Sequence, residues 1–235
     1  MTREALENST SQAAVFDIDD TLYPERAFVR SGYNAVGEHL AKLSTSGSEP
    51  LADWLWQRFL AGQTARAFDD LNDEFNLGLD SAGIAELVAV YRFHRPGISP
   101  FAGIAAVLEK LKSAGVPLGI VSDGPARMQR NKLEALGLAG FFQAIVLTDD
   151  LGPGAGKPSL AGFELARQKL AIPHAGCAYI SDNPAKDFVG PNALGWLTIQ
   201  YVRPGQIYAG KQPPPAGKPK HVIDNDEKLL NLLLG

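Results

Sequence analysis

Val15-Phe16-Asp17-Ile18-Asp19-Asp20-Thr21 is the stretch on which the fold turns. The apolar run Ala13–Ile18 reads as a buried strand, and it leads directly into a burst of carboxylates. In an extended chain, residues two apart point the same way, so Asp17 and Asp19 are expected on one face. Ligands of open α/β sheets bind at the carboxyl ends of the strands, where these acids stand. Two carboxylates this close repel each other, which raises one pKa unless a cation compensates. The competing account is a turn closed by helix-capping aspartates.

The rest of the chain agrees with a parallel α/β sheet, in which short apolar runs alternate with helical periodicity. Val116–Ser122, Gln143–Thr148, Cys177–Ser181 and Leu197–Val202 read as further strands. In Phe101–Ala114, residues Phe101, Ile104, Val107, Leu108 and Leu111 recur at helical spacing. Pro125–Leu136 and Pro158–Leu170 each open on a proline, which suits a first helical turn. Gly115 and Gly137 stand where helices are expected to stop. From about Pro24 to Pro96 no convincing strand is found, and four helical patterns follow one another. A helical insert is therefore expected after the first strand. Arg203–Lys220 is rich in Pro and Gly and reads as a surface loop. A short strand His221–Ile223 and a closing helix Glu227–Leu233 are expected after it.

Composition narrows the function classes. With 22 basic and 26 acidic residues among 235, the net charge is −4, and 45% of residues are hydrophobic. That excludes whole-chain disorder. Without a basic stripe or polybasic tail, a nucleic-acid polymer or a membrane surface is not an expected partner. The single cysteine, Cys177, forms no internal disulfide and no Cys/His zinc spacing. Met1–Gln12 is polar and lacks a signal peptide's apolar stretch, and no run nears the roughly 18 apolar residues of a membrane span. A soluble cytoplasmic protein is the expectation.

Three more strand ends carry polar groups. Gly119-Ile120-Val121-Ser122-Asp123-Gly124 ends in Ser122, whose hydroxyl and the neighbouring amides suit an anion, or an ordinary helix cap. Gly154-Ala155-Gly156-Lys157-Pro158 sets a lysine before a proline-started helix, an arrangement that favours phosphate. It is not a nucleotide P-loop, because Leu151 and Pro158 stand where that pattern needs Gly and Ser or Thr. Tyr179-Ile180-Ser181-Asp182-Asn183-Pro184-Ala185-Lys186-Asp187-Phe188 places Asp182 at a strand tip and Asp187 where it can fold back. Asp187 can equally be a helix N-terminal acid.

Taken in order, these four stretches resemble the four motifs of the haloacid dehalogenase superfamily, over Ala13 to about Gly195. The resemblance implies a Rossmann-like sheet ordered 5-4-1-2-3. It implies a core of residues 1–23 and 97–235, and a helical C1 cap over residues 24–96, with a squiggle and flap in Leu22–Ala27. It implies Asp17 as nucleophile, Asp19 as acid and base, and Mg²⁺ on Asp17, the Asp19 carbonyl and Asp182. Asp187 would orient a metal-bound water. Ser122, the Asp123 and Gly124 amides, and Lys157 would bind phosphate. Asp19 argues for phosphoryl transfer, since a dehalogenase lacks a second acid at that place. The expected activity is a phosphatase acting on a small phosphorylated metabolite. A phosphomutase and a non-catalytic phospholigand-binding module are the alternatives. Oligomeric state and substrate are not spelled by the sequence.

Overall fold

A computed structural model describes residues 13–43, 48–208 and 210–235. The reading of Met1–Gln12 lies outside the described residues. Contacts divide the chain into two compact units, Met1–Glu25 with Ser99–Gly235, and Arg26–Ile98.

The first unit is built on a parallel sheet of β1 (Ala13–Phe16), β2 (Leu118–Ser122), β3 (Ala144–Leu147), β4 (Cys177–Ser181), β5 (Leu197–Tyr201) and β6 (His221–Ile223). Its order is β3-β2-β1-β4-β5-β6. This is the expected five-strand order with β6 added at the outer edge. β1, β2 and β4 are buried at every residue, which is why they read as continuous apolar runs rather than alternating ones. Val15 lies between Gly119 of β2 and Tyr179 of β4. Connections run outward on one side of β1 and then restart on the other, so a crevice opens at the carboxyl end of β1.

Helices α5 (Ile104–Ser113), α6 (Ala126–Leu136), α7 (Ala161–Leu170), α8 (Val189–Ala193) and α9 (Asp226–Leu234) connect or follow these strands. Phe163 and Ala166 of α7 join Val121, Val146, Tyr179 and Trp196 in one buried cluster. Gly137 ends α6 with φ 66°, the left-handed conformation that glycine adopts without penalty. Asn225 caps α9 by accepting from Lys228 N at 2.9 Å.

Two boundaries correct the sequence reading. β1 ends at Phe16, not Ile18, because Ile18 O accepts Leu22 N at 3.0 Å and turns the chain. No helix starts at Pro158. The Lys157–Pro158 peptide is cis, Ser159 N bonds Gly156 O in a turn, and α7 begins at Ala161.

The second unit holds most of α1 (Glu25–Leu43), with α2 (Ser48–Leu60), α3 (Ala67–Phe75) and α4 (Ser81–Phe93). Val29, Tyr33, Val36 and Leu40 recur along one face of α1 and meet Leu51, Leu55, Leu71 and Leu87 in a buried core. Asp80 caps α4 by accepting Gly83 N at 2.9 Å. Among the described residues, no helix is long and apolar enough to cross a membrane.

Candidate active site

Asp17 follows β1, Ser122 ends β2, and Asp182 follows β4, so sheet register alone brings these side chains to one rim. Asp17 N still donates to Ile180 O at 2.9 Å, which holds it beside β4. Asp187 arrives from the turn before α8. One carboxylate oxygen from each of Asp17, Asp182 and Asp187 lies within 4.8 Å of the others. Asp187 also accepts a short hydrogen bond from Ser181 Oγ.

Lys157 completes this cluster. Its Nζ lies 3.1 Å from Asp17 and 3.0 Å from Asp187. It also donates to Tyr179 Oη at 3.0 Å, and Tyr179 Oη donates in turn to Val121 O at 3.2 Å. The lysine is thus placed by β4 and by Asp123, whose carboxylate accepts Lys157 N at 3.0 Å. The helix N-terminus expected from the sequence plays no part, since α7 starts four residues later.

Three carboxylates face one ammonium here, and the proton affinities register the imbalance. Burial, reinforced by Asp187 and Asp19 and opposed by Lys157, raises the Asp17 pKa to about 6. Burial and the charges of Asp17 and Asp187 push Asp182 up to about 9. Asp182 Oδ2 is buried without a hydrogen-bond partner. For Lys157, burial works against the charge, but Asp17 and Asp187 outweigh it and raise its pKa well above normal.

Asp19 is held differently. Lys132 Nζ lies 2.7 and 2.9 Å from its two oxygens, Gln129 Nε2 donates to it at 3.0 Å, and Tyr23 Oη donates as well. Burial alone would raise its pKa. The Lys132 charge and these hydrogen bonds more than offset that and bring it below the usual range. Ser122 Oγ accepts from the same Gln129 nitrogen at 2.8 Å. Gly124 has φ 104°, a conformation L side chains rarely adopt, so the turn after Ser122 requires glycine there. Asp123 accepts from Thr148 Oγ1 at 2.9 Å and Lys186 Nζ at 2.7 Å. Beside this turn opens a cavity of about 460 Å³ lined by Asp123, Gly124, Thr148, Gly154 and Gly156.

The structure therefore gathers Asp17, Asp182, Asp187 and Lys157 directly. Gln129 links Asp19 with Ser122. Sequence reasoning missed Gln129, Lys132, Tyr23, Tyr179 and Lys186. It also missed Glu25, whose pKa rises to about 8 through burial and the neighbouring charge of Asp19. One signal was available: Gln129, Lys132, Leu133 and Leu136 form the buried stripe of α6, so two polar residues occupy core positions.

Over 228 residues the chain is 27% identical to a glyceraldehyde 3-phosphate phosphatase of Methanopyrus kandleri, covering 94% of this chain and 97% of that protein. It is 26% identical over 229 residues to the (S)-2-haloacid dehalogenase 2 of Pseudomonas sp. strain CBS-3, covering 94% and 95%. Its fold matches that of the putative HAD-hydrolase YfnB from Bacillus subtilis bound to magnesium, with a TM-score of 0.66, 21% identity, and coverage of 95% and 98%. The family model of haloacid dehalogenase-like hydrolases matches residues 12–195, and the chain belongs to that family of hydrolases.

Proposed function

We propose that this hydrolase is a Mg²⁺-dependent phosphatase that cleaves a small phosphorylated metabolite through an aspartyl-phosphate. The observation that carries the reading is Asp19, a second carboxylate two residues beyond Asp17 and held in place by Lys132, Gln129 and Tyr23. A departing halide needs no proton, whereas a departing alcohol does. The two relatives named above have opposite activities at nearly equal identity, so the site residues weigh more than the resemblance.

In this reading Asp17 attacks phosphorus, and the bond from phosphorus to the ester oxygen breaks with its electrons on that oxygen. Asp19, which must enter this step protonated, gives the oxygen its proton and the alcohol leaves. Asp19 then takes a proton from water as the water attacks the same phosphorus, and the bond to Asp17 breaks to release phosphate. Ser122 and the amides of Asp123 and Gly124 grip the phosphate oxygens. Lys157 offsets their charge beside Asp17. Losing one such electrostatic contact typically costs about 3–4 kcal/mol of barrier.

The acid cluster fits Mg²⁺. Its donors are all oxygen, and three carboxylates against one lysine leave an excess of negative charge. Asp182 Oδ2 is a buried acceptor with no partner. Asp17, Asp182 and the main-chain carbonyl of Asp19 would hold the ion, with Asp187 orienting its water. When bound, it supplies charge neutralisation at the transferred phosphoryl group. In the same reading residues 1–23 and 97–235 are the catalytic core and residues 24–96 are a cap that selects substrate. A cytoplasmic location goes with a substrate of this class.

The test is phosphate release from a panel of phosphorylated metabolites, with and without Mg²⁺, by wild type, Asp17→Asn and Asp19→Asn. Mg²⁺-dependent release lost in both variants is expected. Turnover that survives both substitutions, or chloride release from 2-chloropropionate in place of phosphate release, would overturn the proposal. Transfer of phosphate to a second sugar hydroxyl would identify a mutase.

A further inference from the structure

We propose that Gln129 and Lys132 of α6 are positioning residues that aim the Asp19 carboxylate at the leaving-group oxygen and tie it to the phosphate-gripping Ser122. This rests on the phosphatase reading and extends it to two residues outside the four motif stretches.

Lysine is almost never fully buried unless paired, yet the Lys132 side chain is only 2% exposed. Its ammonium meets both oxygens of Asp19, across 113 residues of sequence. A single hydrogen bond would let the carboxylate pivot about that contact. Two contacts from one ammonium, with Tyr23 Oη on Oδ1 and Gln129 on Oδ2, remove that freedom. None of these three groups belongs to the Asp17, Asp182 and Asp187 cluster. The side chains that hold the acid/base are thus distinct from the carboxylates gathered around the nucleophile.

Gln129 does the linking. Its nitrogen lies 3.0 Å from Asp19 Oδ2, 2.8 Å from Ser122 Oγ and 2.7 Å from Asp123 O, so two hydrogens serve three acceptors. The reverse orientation of the amide would set its oxygen against a carboxylate and a carbonyl, so the nitrogen belongs where it lies. Gln129 and Lys132 are three apart and share one face of α6. α6 begins directly after the Ser122–Gly124 turn and is fastened there by Asp149, which accepts Ala126 N at 2.9 Å. One rigid helix therefore carries the end of the phosphate turn and the clamp on Asp19. A shift of the phosphate grip would carry the acid/base with it, which keeps the proton donor in register with the ester oxygen.

A purely structural ion pair and a positioning clamp make different demands. If the pair served folding alone, breaking it would slow all substrates alike. If it aims a proton, the damage depends on how much the leaving group needs one. Phenyl phosphate releases a weakly acidic phenol, and 4-nitrophenyl phosphate releases a far more acidic one on the same ring.

The experiment measures kcat and KM for both esters in Mg²⁺ with full-length wild type, Lys132→Met, Lys132→Arg, Gln129→Met, Asp19→Asn and the double variant Asp19→Asn/Lys132→Met. For Lys132→Met, kcat/KM on phenyl phosphate, which reports departure of the phenol and not the later hydrolysis common to both esters, is expected to fall by about 10²-fold, the lower range for loss of general acid–base catalysis. The 4-nitrophenyl ester should lose far less of its kcat/KM. Lys132→Arg should recover part of the loss. In the Asp19→Asn background, Lys132→Met should add nothing further. Gln129→Met should show the same leaving-group bias and stands in if Lys132→Met does not fold. Equal losses of kcat/KM on both esters, or a full additional loss in the Asp19→Asn background, would overturn the clamp while leaving the phosphatase reading intact. Wild type inert towards both esters and the metabolite panel would sink that reading, and the clamp with it.

Discussion

The Lys157 ammonium lies 3.1 Å from the Asp17 carboxylate, with the two side chains only 1% and 10% exposed. So close a pair, away from water, leaves each charge dependent on the other. Removing one partner of a buried pair typically costs about 3–5 kcal/mol, because the other remains uncompensated. Lys157→Met is therefore expected to lower metal-free stability strongly at pH 8 and to reduce turnover by at least about 10²-fold. Thermal melts and phosphatase kinetics check this. A variant melting with wild type would show that the pair is not what holds the cluster.

Stability should depend on pH and on Mg²⁺ together. Asp17 and Asp182 have folded pKa values of about 6 and about 9 against an ordinary 3.8. Both are raised, so the folded state binds more protons than the unfolded chain. Their contribution is fully present below about pH 4 and is lost as pH rises towards 9. Other groups denature the protein in acid, so the window to read is pH 5 to 9. Metal-free protein should lose melting temperature across it, and Mg²⁺ should restore more at pH 8.5 than at pH 5.5, since at low pH the ion must displace protons. An equal Mg²⁺ shift at both pH values would contradict the assignment of the ion to these acids.

Asp123 braces the lysine loop. One oxygen accepts from Thr148 and from Lys157 N, and the other faces the half-exposed Lys186. Asp123→Ala leaves buried donors unpaired, so a loss of about 1–3 kcal/mol is expected, together with reduced kcat. Asp123→Asn keeps the first oxygen's contacts and gives up only the exposed ion pair, which is worth about 0–1 kcal/mol. Denaturant titration of the two variants separates these outcomes. Equal losses would mean that the charge, not the brace, matters.

The loop after β5 is fastened to the catalytic turn by Gln206. Its nitrogen donates to Asp20 O and Tyr201 O, both at 2.8 Å, and its oxygen accepts Arg203 N at 2.8 Å. Asp20 O is thereby fixed although Asp20 holds φ 50°, and Asp20 Oδ2 accepts Ile207 N at 2.6 Å. Gln206→Ala should cost about 1–3 kcal/mol through unpaired backbone groups. Gln206→Glu should cost at least as much, because it sets a carboxylate against two carbonyls. Hydrogen exchange at Ile207 would report the loosening directly. A stable Gln206→Glu would show that the nitrogen's contacts are dispensable.

The elements themselves were legible in the residues. β4 spans the predicted Cys177–Ser181, the predicted β5 ends one residue beyond the observed strand, and the four helical patterns of Pro24–Pro96 are α1 to α4. Strand and helix are chosen over a few residues, by burial on both sheet faces and by apolar spacing, so a linear reading captures them. The run of acids after Phe16 and the Ser122 turn mark the rim for the same reason. What α6 contributes was decided only by the tertiary structure. Lys132 reaches Asp19 because β2 lies beside β1, and that adjacency follows from sheet order rather than from any local pattern. Lys157 likewise owes its place to Asp123, just after β2, and to Tyr179, within β4, and not to the proline beside it. Pairings between distant charges depend on which strands become neighbours and in what register, and no short window of sequence contains that information.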